Sequence, residues 1–260
     1  MRARFDLVSP DVPGRDVSGV VIATGENVTG LKNGDAVFGV CPPNRWGSHA
    51  ELVTAEAAIL AIKPTGVSHL EAASIALVGC TALSALEKTA TIDVGMRVLI
   101  NAGAGGVGAF AIQYCKSRGA TVYATCSARN TDYVRSLGAD EVIDYTKGDF
   151  AEDLSDFDVV YDTMGGDTHV RSRAILRSGG MLVCLNAAPV PDDAPVRDDI
   201  SVETPLVTYL RKDGERIAEL ITERAVDPSI GSVFSFSDAL DAYRLSETGH
   251  ARGKVVLKMK

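Results

Sequence analysis

Between residues 96 and 185 the chain alternates short apolar runs with longer segments whose apolar residues recur at helical spacing. Near-continuous apolar runs are typical of strands buried on both faces of a parallel sheet, and the segments between them are long enough for crossover helices. The pattern predicts strands at residues 96–101, 121–126, 141–144, 158–162 and 181–185, and helices at residues 106–118, 130–137, 149–155 and 167–176. This alternation predicts an α/β fold with a doubly wound parallel sheet.

The first sixty residues follow another pattern, in which β-rich runs are separated by turn residues and glycines. Strands are predicted at residues 17–24, 35–39 and 50–54. Because glycines recur at the strand ends, we expect a small barrel or sandwich.

The segments on either side of the parallel sheet also contain helical patterns. Ser68 and Glu71 have the spacing of a capping box and predict a helix over residues 68–77, and a second helix is predicted from Thr81 to Ala90. After residue 185 the chain is predicted to form a surface loop at 189–199, an edge strand at 206–210, a helix at 213–224, a further helix capped by Ser237, and a last strand at 255–257.

The turn after the strand at 96–101 carries the glycine pattern Gly103-x-Gly105-x-x-Gly108 and opens a helix. In that context the pattern is typical of a dinucleotide site, in which free N–H groups at the helix start bind a pyrophosphate. We therefore expect the backbone of residues 104–108 (Ala104, Gly105, Gly106, Val107 and Gly108) to bind a nucleotide cofactor. The alternative is a turn that only packs helix against strand.

The end of the next strand distinguishes between cofactors. An acidic residue at this position would hold the ribose hydroxyl of NAD, but the chain has Ser127, Arg129 and Asn130 there. Hydroxyl and guanidinium donors suit a 2′-phosphate, which favours NADPH over NADH and disfavours a methyltransferase that uses S-adenosylmethionine. The alternative is a solvated loop that contains an arginine by chance.

Composition excludes several classes of protein. The chain of 260 residues is 46% hydrophobic and 23% charged, with a net charge of −8 that disfavours nucleic acids and anionic membranes as partners. The five cysteines are scattered without a C-x-x-C pair, as expected of reduced thiols in a cytoplasmic protein. No window approaches eighteen apolar residues and the N-terminus lacks a secretory signal, so we expect no membrane span.

Several short motifs resemble those of medium-chain dehydrogenases/reductases, in the zinc-independent quinone oxidoreductase branch. Besides the glycine turn they are Gly14-Arg-Asp-Val-Ser-Gly-Val-Val21, Gly34-Asp-Ala-Val-Phe-Gly39, Gly47-Ser-His-Ala-Glu51, Val78-Gly-Cys-Thr-Ala82, Leu137-Gly-Ala-Asp-Glu-Val-Ile-Asp-Tyr145, Tyr161-Asp-Thr-Met-Gly-Gly166 and His250-Ala-Arg-Gly-Lys-Val-Val-Leu257. The resemblance implies a GroES-like substrate domain over residues 1–80 that is incomplete at its N-terminus. It also implies a Rossmann NADPH-binding domain over residues 81–209 and a return to the substrate domain over residues 210–260.

The resemblance also implies roles for individual residues. Besides the glycine turn, the expected cofactor contacts are Thr81 and the pair Leu185 and Asn186 at the nicotinamide, Ser127 and Tyr145 at the adenosine phosphate, and His250 and Arg252 close by. Each has a plainer alternative: Thr81 could only start a helix, Tyr145 could be an exposed strand end, and Arg252 could be a surface charge. No residue is assigned a catalytic role.

No metal is expected. Zinc alcohol dehydrogenases have a Gly-His-Glu motif where this chain has Gly14-Arg15-Asp16, and a guanidinium does not ligate zinc. His49 and His69 lack metal-ligand spacing, and Cys80 is expected to be a packed thiol.

The expected activity is NADPH-dependent reduction of a small quinone or enone, with an NADPH-binding sensor or inactive relative as the alternative. Phe38, Trp46 and Leu185 are candidates for an apolar substrate pocket, although such residues are commonly core. Because family members often dimerise through Rossmann edge strands, residues 202–210 are the candidate for a homodimer interface. The alternative is an internal edge that the 213–224 helix covers.

Overall fold

The computed structural model describes residues 12–43, 47–185, 188–191 and 194–259. The strands are β1 (Asp16–Val20), β2 (Ala36–Val40), β3 (Leu60–Ile62), β4 (Arg97–Ile100), β5 (Thr121–Cys126), β6 (Glu141–Asp144), β7 (Phe157–Asp162), β8 (Leu176–Cys184), β9 (Ser201–Glu203), β10 (Ile230–Ser235) and β11 (Lys254–Lys258). The α-helices are α1 (His69–Leu86), α2 (Gly106–Ser117), α3 (Thr131–Ser136), α4 (Phe150–Asp153), α5 (Asp167–Ala174), α6 (Arg211–Thr222) and α7 (Ala239–Glu247).

The chain divides into two compact units. The first unit comprises Met1–Cys80, Thr208–Arg224 and Pro228–Lys260, and the second comprises Thr81–Val207 and Ala225–Asp227. The first unit is therefore assembled from three separate stretches of chain, whereas the second is almost continuous.

The first unit holds two small sheets. β1, β2 and β3 form an antiparallel sheet in that order, and β10 pairs with β11 in parallel. The strand expected at residues 50–54 is wrong, because this segment forms bends and the third strand is β3. Since β1 and β3 occupy the two edges of β2, no edge of that strand is left for residues 50–54.

α1 is one helix of 18 residues where two were expected. The capping box is confirmed: the Ser68 backbone N–H donates to Glu71 Oε2 (2.7 Å), and the Glu71 N–H donates to Ser68 Oγ (3.2 Å). Gly79 does not end the helix, because one glycine costs a helix interior only about 1 kcal/mol, which packing offsets. By length and composition α1 could cross a membrane, contrary to the sequence-based prediction; its window is 67% buried inside the protein, as in a core helix.

The second unit is built on a six-stranded parallel sheet with the order β6-β5-β4-β7-β8-β9. Its central strands are apolar on both faces, and residues of β4, β5 and β7 reach zero exposure. This order is that of the dinucleotide-binding Rossmann fold, so the predicted α/β fold with a doubly wound sheet is confirmed. The edge strand expected at residues 206–210 is wrong: the pairing edge is β9, and residues 204–210 are irregular.

The predicted helix at 213–224 and the last strand are present as α6 and β11, whereas β10 was not predicted. α6 buries Ile217 and Leu220 on its apolar side, and β11 closes the last small sheet. The cap predicted at Ser237 is wrong, because Asp238 is the residue that precedes α7. The Ser237 hydroxyl instead forms a hydrogen bond with the Ser235 hydroxyl (2.7 Å between the two Oγ atoms).

Candidate functional site

The strand order of the second unit creates a crevice at the carboxyl ends of its central strands. β4 and β7 are neighbours, yet the chain leaves β4 toward β5 on one side and leaves β7 toward β8 on the other. Ligands of open α/β sheets bind outside the carboxyl ends of the strands at such a point of reversal. The turn after β4 and the loop after β7 therefore border the candidate site.

The turn after β4 is held by backbone and side-chain hydrogen bonds. Ala102 adopts a left-handed conformation (φ 54°), and its N–H donates to Thr125 Oγ1 (3.1 Å). Gly103 N–H donates to the Thr125 carbonyl (2.8 Å), and Gly105 N–H returns to the Ala102 carbonyl (3.0 Å). These hydrogen bonds fix the backbone conformation of the turn.

α2 begins directly after this turn. Its Ala109 N–H donates to the Gly105 carbonyl (2.8 Å). The N–H groups of Gly106, Val107 and Gly108 come before Ala109, in the first turn of the helix. The first N–H groups of a helix have no partner within the helix and carry its positive end. The turn therefore presents donors and partial positive charge, which suits a phosphate group.

The three glycines of the motif differ in what surrounds them. A Cβ at Gly103 would lie 2.9 Å from Ala124 Cβ and from Ile112 Cδ1, and one at Gly108 would lie 2.3 Å from the Ala102 carbonyl oxygen. A Cβ at Gly105 would meet only that same oxygen, at 3.4 Å. Gly103 and Gly108 thus serve packing, whereas Gly105 faces space that a pyrophosphate could fill.

Three predicted residues gather at the ends of β5 and β6. The Tyr145 N–H donates to the Cys126 carbonyl (3.2 Å), next to Ser127, and Ser127 begins the 3₁₀ turn Ala128–Asn130 that carries Arg129. Arg129 is exposed and Tyr145 is 47% exposed. The structure therefore places Ser127, Arg129 and Tyr145 on neighbouring segments at the carboxyl ends of β5 and β6, and their contacts with a cofactor stay predictions.

An acidic residue that sequence reasoning missed also lies here. Asp144 ends β6, and its carboxylate accepts from the hydroxyl (2.7 Å) and the N–H (3.1 Å) of Thr146. These hydrogen bonds hold the pKa of Asp144 below its usual value, with further help from Lys147 and the Ala128 N–H. The carboxylate shapes the turn that carries Tyr145 and Thr146.

A buried polar layer lies beneath the glycine turn and was also missed. Asn101 is fully buried; its side-chain amide donates to Ser172 Oγ (3.0 Å), and its side-chain oxygen accepts from Thr125 Oγ1 (3.3 Å). Thr163 Oγ1 donates to the Asn101 carbonyl (3.0 Å). This layer ties the carboxyl ends of β4, β5 and β7 to α5. The one sequence signal was an asparagine directly after an apolar strand.

The loop after β7 is organised by a single carboxylate. Asp162 is fully buried and accepts from the backbone N–H groups of Met164 (2.9 Å) and Gly165 (3.1 Å). Its backbone carbonyl accepts from the Leu185 N–H (3.0 Å), which places predicted Leu185 beside this loop. Asn186, predicted with it, lies outside the described residues.

The remaining predicted contacts are spread over the chain. Thr81 is a half-buried residue within α1 and does not start a helix. His250 and Arg252 are exposed residues of the first unit, so their roles at the cofactor stay predictions. Of the predicted pocket, Phe38 is fully buried in the first unit, and Trp46 lies outside the described residues.

The position expected of a zinc ligand is occupied by other contacts. Arg15 Nε donates to the Cys41 carbonyl (3.0 Å), and its guanidinium lies over the Tyr209 ring, 4.5 Å from the centroid. Asp16 accepts from the Leu77 N–H (2.6 Å) and from Lys254 Nζ (2.9 Å). Within the described ranges, no cluster of three or more His, Cys, Asp or Glu residues has metal-binding geometry.

Comparison with protein families assigns both parts of the chain. Residues 3–68 match the alcohol dehydrogenase GroES-like domain, and residues 137–257 match the zinc-binding dehydrogenase family. The name of the second family mentions zinc, but the match alone does not show that this chain binds zinc. The Gly14-Arg15-Asp16 segment lacks the histidine ligand.

Individual relatives agree with these matches. The chain is 35% identical over 96% of its length to the mitochondrial NAD(P)H oxidoreductase RTN4IP1 of Danio rerio, of which it covers 72%. It is 39% identical over 97% of its length to the chloroplastic NADPH-dependent alkenal/one oxidoreductase of Arabidopsis thaliana, of which it covers 65%.

A solved structure extends the agreement to three dimensions. The quinone oxidoreductase of Coxiella burnetii superposes with a TM-score of 0.86 at 35% identity, over 95% of this chain and 79% of the other. Strand order, glycine turn and sequence similarity all lead to one assignment. The chain belongs to the medium-chain dehydrogenase/reductase family, in the zinc-independent quinone oxidoreductase branch that its motifs resemble.

Proposed function

We propose that this protein binds NADPH and reduces a quinone or an α,β-unsaturated carbonyl by hydride transfer without a metal. The observation that carries the proposal is the turn at Gly105, where donors at the start of α2 face space that would admit a pyrophosphate. Relatives named as NADPH-dependent alkenal/one and quinone oxidoreductases support the same chemistry.

The proposed binding mode uses two places at the carboxyl ends of the parallel strands: the turn after β4 and the segments that follow β5 and β6. The N–H groups of residues 106–108 bind the pyrophosphate, and Ser127, Arg129 and Tyr145 bind the 2′-phosphate of the adenosine. Thr81 and Leu185, with Asn186, His250 and Arg252, complete the proposed set around the nicotinamide. A charge-assisted hydrogen bond to the 2′-phosphate contributes about 1.5–3 kcal/mol, which is roughly a tenfold to hundredfold preference for NADPH over NADH.

The chain's own residues would act by positioning. NADPH supplies the hydride, and the protein brings the electron-poor carbon of the substrate to it. A hydrogen-bond donor or water near the substrate carbonyl is sufficient to polarise it, so the reaction requires no metal ligand set.

The location and assembly belong to the same proposal. All five cysteines lie in the described part of the chain, are buried and form no disulfide bond, which fits a reducing compartment such as the cytoplasm. β9 lies at the edge of the parallel sheet with Val202 40% exposed, and it supports a homodimer formed through residues 202–210.

The test is a titration of the purified chain with NADPH and with NADH, followed by turnover on simple quinones and enals. Selective NADPH binding with turnover is the expected result. Selective binding without turnover would favour an NADPH sensor, and equal affinity for both cofactors would contradict the 2′-phosphate site. Light scattering on the same sample tests the dimer.

A further inference from the structure

Helix α5 places polar side chains inside the second unit, which is unusual for a short helix against a parallel sheet. His169 is 2% exposed and Ser172 is fully buried. Ser172 holds Asn101 in the polar layer, as described above. His169 belongs to a second set of contacts, which runs from Asp162 to Arg173.

The protonation pattern of His169 follows from its neighbours. Arg173 Nε donates to His169 Nε2 (3.1 Å), and a guanidinium has no acceptor, so Nε2 must be unprotonated. The proton of the neutral ring is then on Nδ1, which lies 3.6 Å from Asp162 Oδ2. This distance is too long for a hydrogen bond, so the buried N–H group interacts with the carboxylate only as a dipole with a nearby charge. Burial and the Arg173 cation lower the pKa of His169, while Asp162 opposes them. A neutral imidazole therefore lies between a carboxylate and a guanidinium, its N–H toward the first and its lone pair toward the second.

This set of contacts connects the loop after β7 with the segment after β8. Arg173 Nη1 donates to the Pro195 carbonyl (2.9 Å), in the segment after β8. Gly165 has a positive φ of 77°, and a Cβ there would lie 2.4 Å from the Ala188 carbonyl oxygen. The loop after β7 is thus pressed closely against the segment that follows β8.

The loop is also one hydrogen bond away from the glycine turn. Thr163 Oγ1 donates to the carbonyl of Asn101, the residue that precedes the turn. Met164, in the same loop, is 49% exposed. A shift of this loop would therefore be transmitted directly to the backbone that presents donors to the cofactor.

We propose that His169 is a positioning residue, which holds the Asp162 carboxylate and through it the Thr163–Gly165 loop in the geometry that NADPH requires. The inference rests on the proposed function in one respect: it takes NADPH as the ligand at the glycine turn. The residue itself touches neither cofactor nor substrate. Its effect passes through Asp162.

Two substitutions separate the two sides of the imidazole. The amide nitrogen of His169→Asn takes the place of Nδ1 and keeps a donor toward Asp162, whereas the longer His169→Gln keeps a polar atom toward Arg173 and removes that donor. Arg171→Gln is the matched control, because Arg171 is on the same helix and its only described ion pair is a 3.9 Å contact with Asp149 at the surface.

The measurements are the NADPH dissociation constant, the hydrogen exchange of the loop amides without cofactor, and the melting temperature. We expect His169→Gln to raise the dissociation constant about tenfold, because the buried Asp162 carboxylate loses the N–H dipole that faces it at 3.6 Å. Exchange at Met164 and Gly165 should accelerate in the same variant. His169→Asn should remain within about threefold of the wild type on both measures, and Arg171→Gln should match the wild type.

The exchange measurement keeps this inference separate from the proposed function. Unchanged exchange at Met164 and Gly165 in His169→Gln would overturn the positioning role, whether or not the protein reduces quinones. Equal losses of affinity in the Asn and Gln variants, in proportion to their losses of melting temperature, would also overturn it, because a purely structural role predicts that result. A wild type that binds no NADPH would overturn the proposed function and, with it, the choice of ligand made here.

Discussion

A methyl group added at Gly105 should weaken NADPH binding and leave the fold intact, whereas the same methyl group at Gly108 should destabilise the fold. Gly105 has φ −77° and ψ 166°, a conformation that alanine adopts freely. Its Cβ would be in ordinary contact with one oxygen, 3.4 Å away. Gly105→Ala therefore changes the protein only where the pyrophosphate should lie.

The magnitudes of the two substitutions follow from these contacts. At Gly105 the restricted unfolded chain stabilises the protein by about 0.4–1 kcal/mol, and the poorer preference of alanine for the N-cap position costs a similar amount, so the melting temperature should hold. The displaced phosphate would lose charge-assisted hydrogen bonds of about 1.5–3 kcal/mol each, which is roughly a tenfold to hundredfold loss of affinity.

At Gly108 the added Cβ would lie 2.3 Å from the Ala102 oxygen and 2.8 Å from the Gly103 Cα, both backbone atoms. Overpacking costs about 1–3 kcal/mol, and the better helix propensity of alanine returns about 1 kcal/mol. Because a backbone oxygen only 2.3 Å away places the overpacking cost at the upper end of that range, the net loss is about 2 kcal/mol, which lowers the melting temperature of a protein this size by about 4–8 °C.

The assay is a fluorescence titration with NADPH beside thermal unfolding, for the wild type and both variants. The reasoning predicts a crossed pattern, with affinity lost at Gly105 and stability lost at Gly108. A Gly105→Ala protein that binds NADPH as tightly as the wild type would refute the placement of the pyrophosphate. A Gly108→Ala protein of unchanged melting temperature would refute the close packing of α2 on the turn.

Three further predictions test the site and the fold. Arg129→Ala should weaken NADPH roughly tenfold to hundredfold and leave NADH nearly unchanged in parallel titrations, and equal losses would remove Arg129 from the 2′-phosphate site. Ser68→Ala should cost about 1 kcal/mol and lower the melting temperature by about 2–4 °C, whereas an unchanged value would mean that the capping box contributes nothing to stability. Burial lowers the pKa of His49, so the unfolded chain binds the extra proton first and stability should fall as the pH drops below about 6.5. His49→Gln should therefore show a shallower fall in melting temperature between pH 7 and 5.5, and an equally steep fall in both proteins would contradict this linkage.

Local patterns predicted the parallel sheet well. The strands at residues 121–126 and 141–144 have the predicted bounds, because short apolar runs ended by polar residues are a strong local signal. The failures arose where pairing partners decide the structure. Residues 50–54 have strand-like composition but no free edge of β2 to join, and α1 continues through Gly79 because packing outweighs a weak local preference.

The candidate site was predicted in its ligand-facing part and missed in its support. The glycine spacing and the polar residues after β5 are contiguous signals that can be read along the chain. Asn101 meets Thr125 and Ser172 at separations of 24 and 71 residues, so no local pattern reveals that they form one layer. His169 was missed for the same reason, because its proposed role depends on its contact with Asp162 at the end of β7.

The division of the chain also has a consequence for how the protein emerges from the ribosome. The second unit is complete, apart from Ala225–Asp227, once Val207 has been synthesised. The first unit must wait for Thr208–Arg224 and Pro228–Lys260, although its synthesis began earlier. Contacts so distant in sequence close late and slowly, because the loop entropy is lost before the contacts form. The cofactor-binding unit is therefore the natural first folding unit, and the nascent first unit is the part of the chain that most needs protection from aggregation.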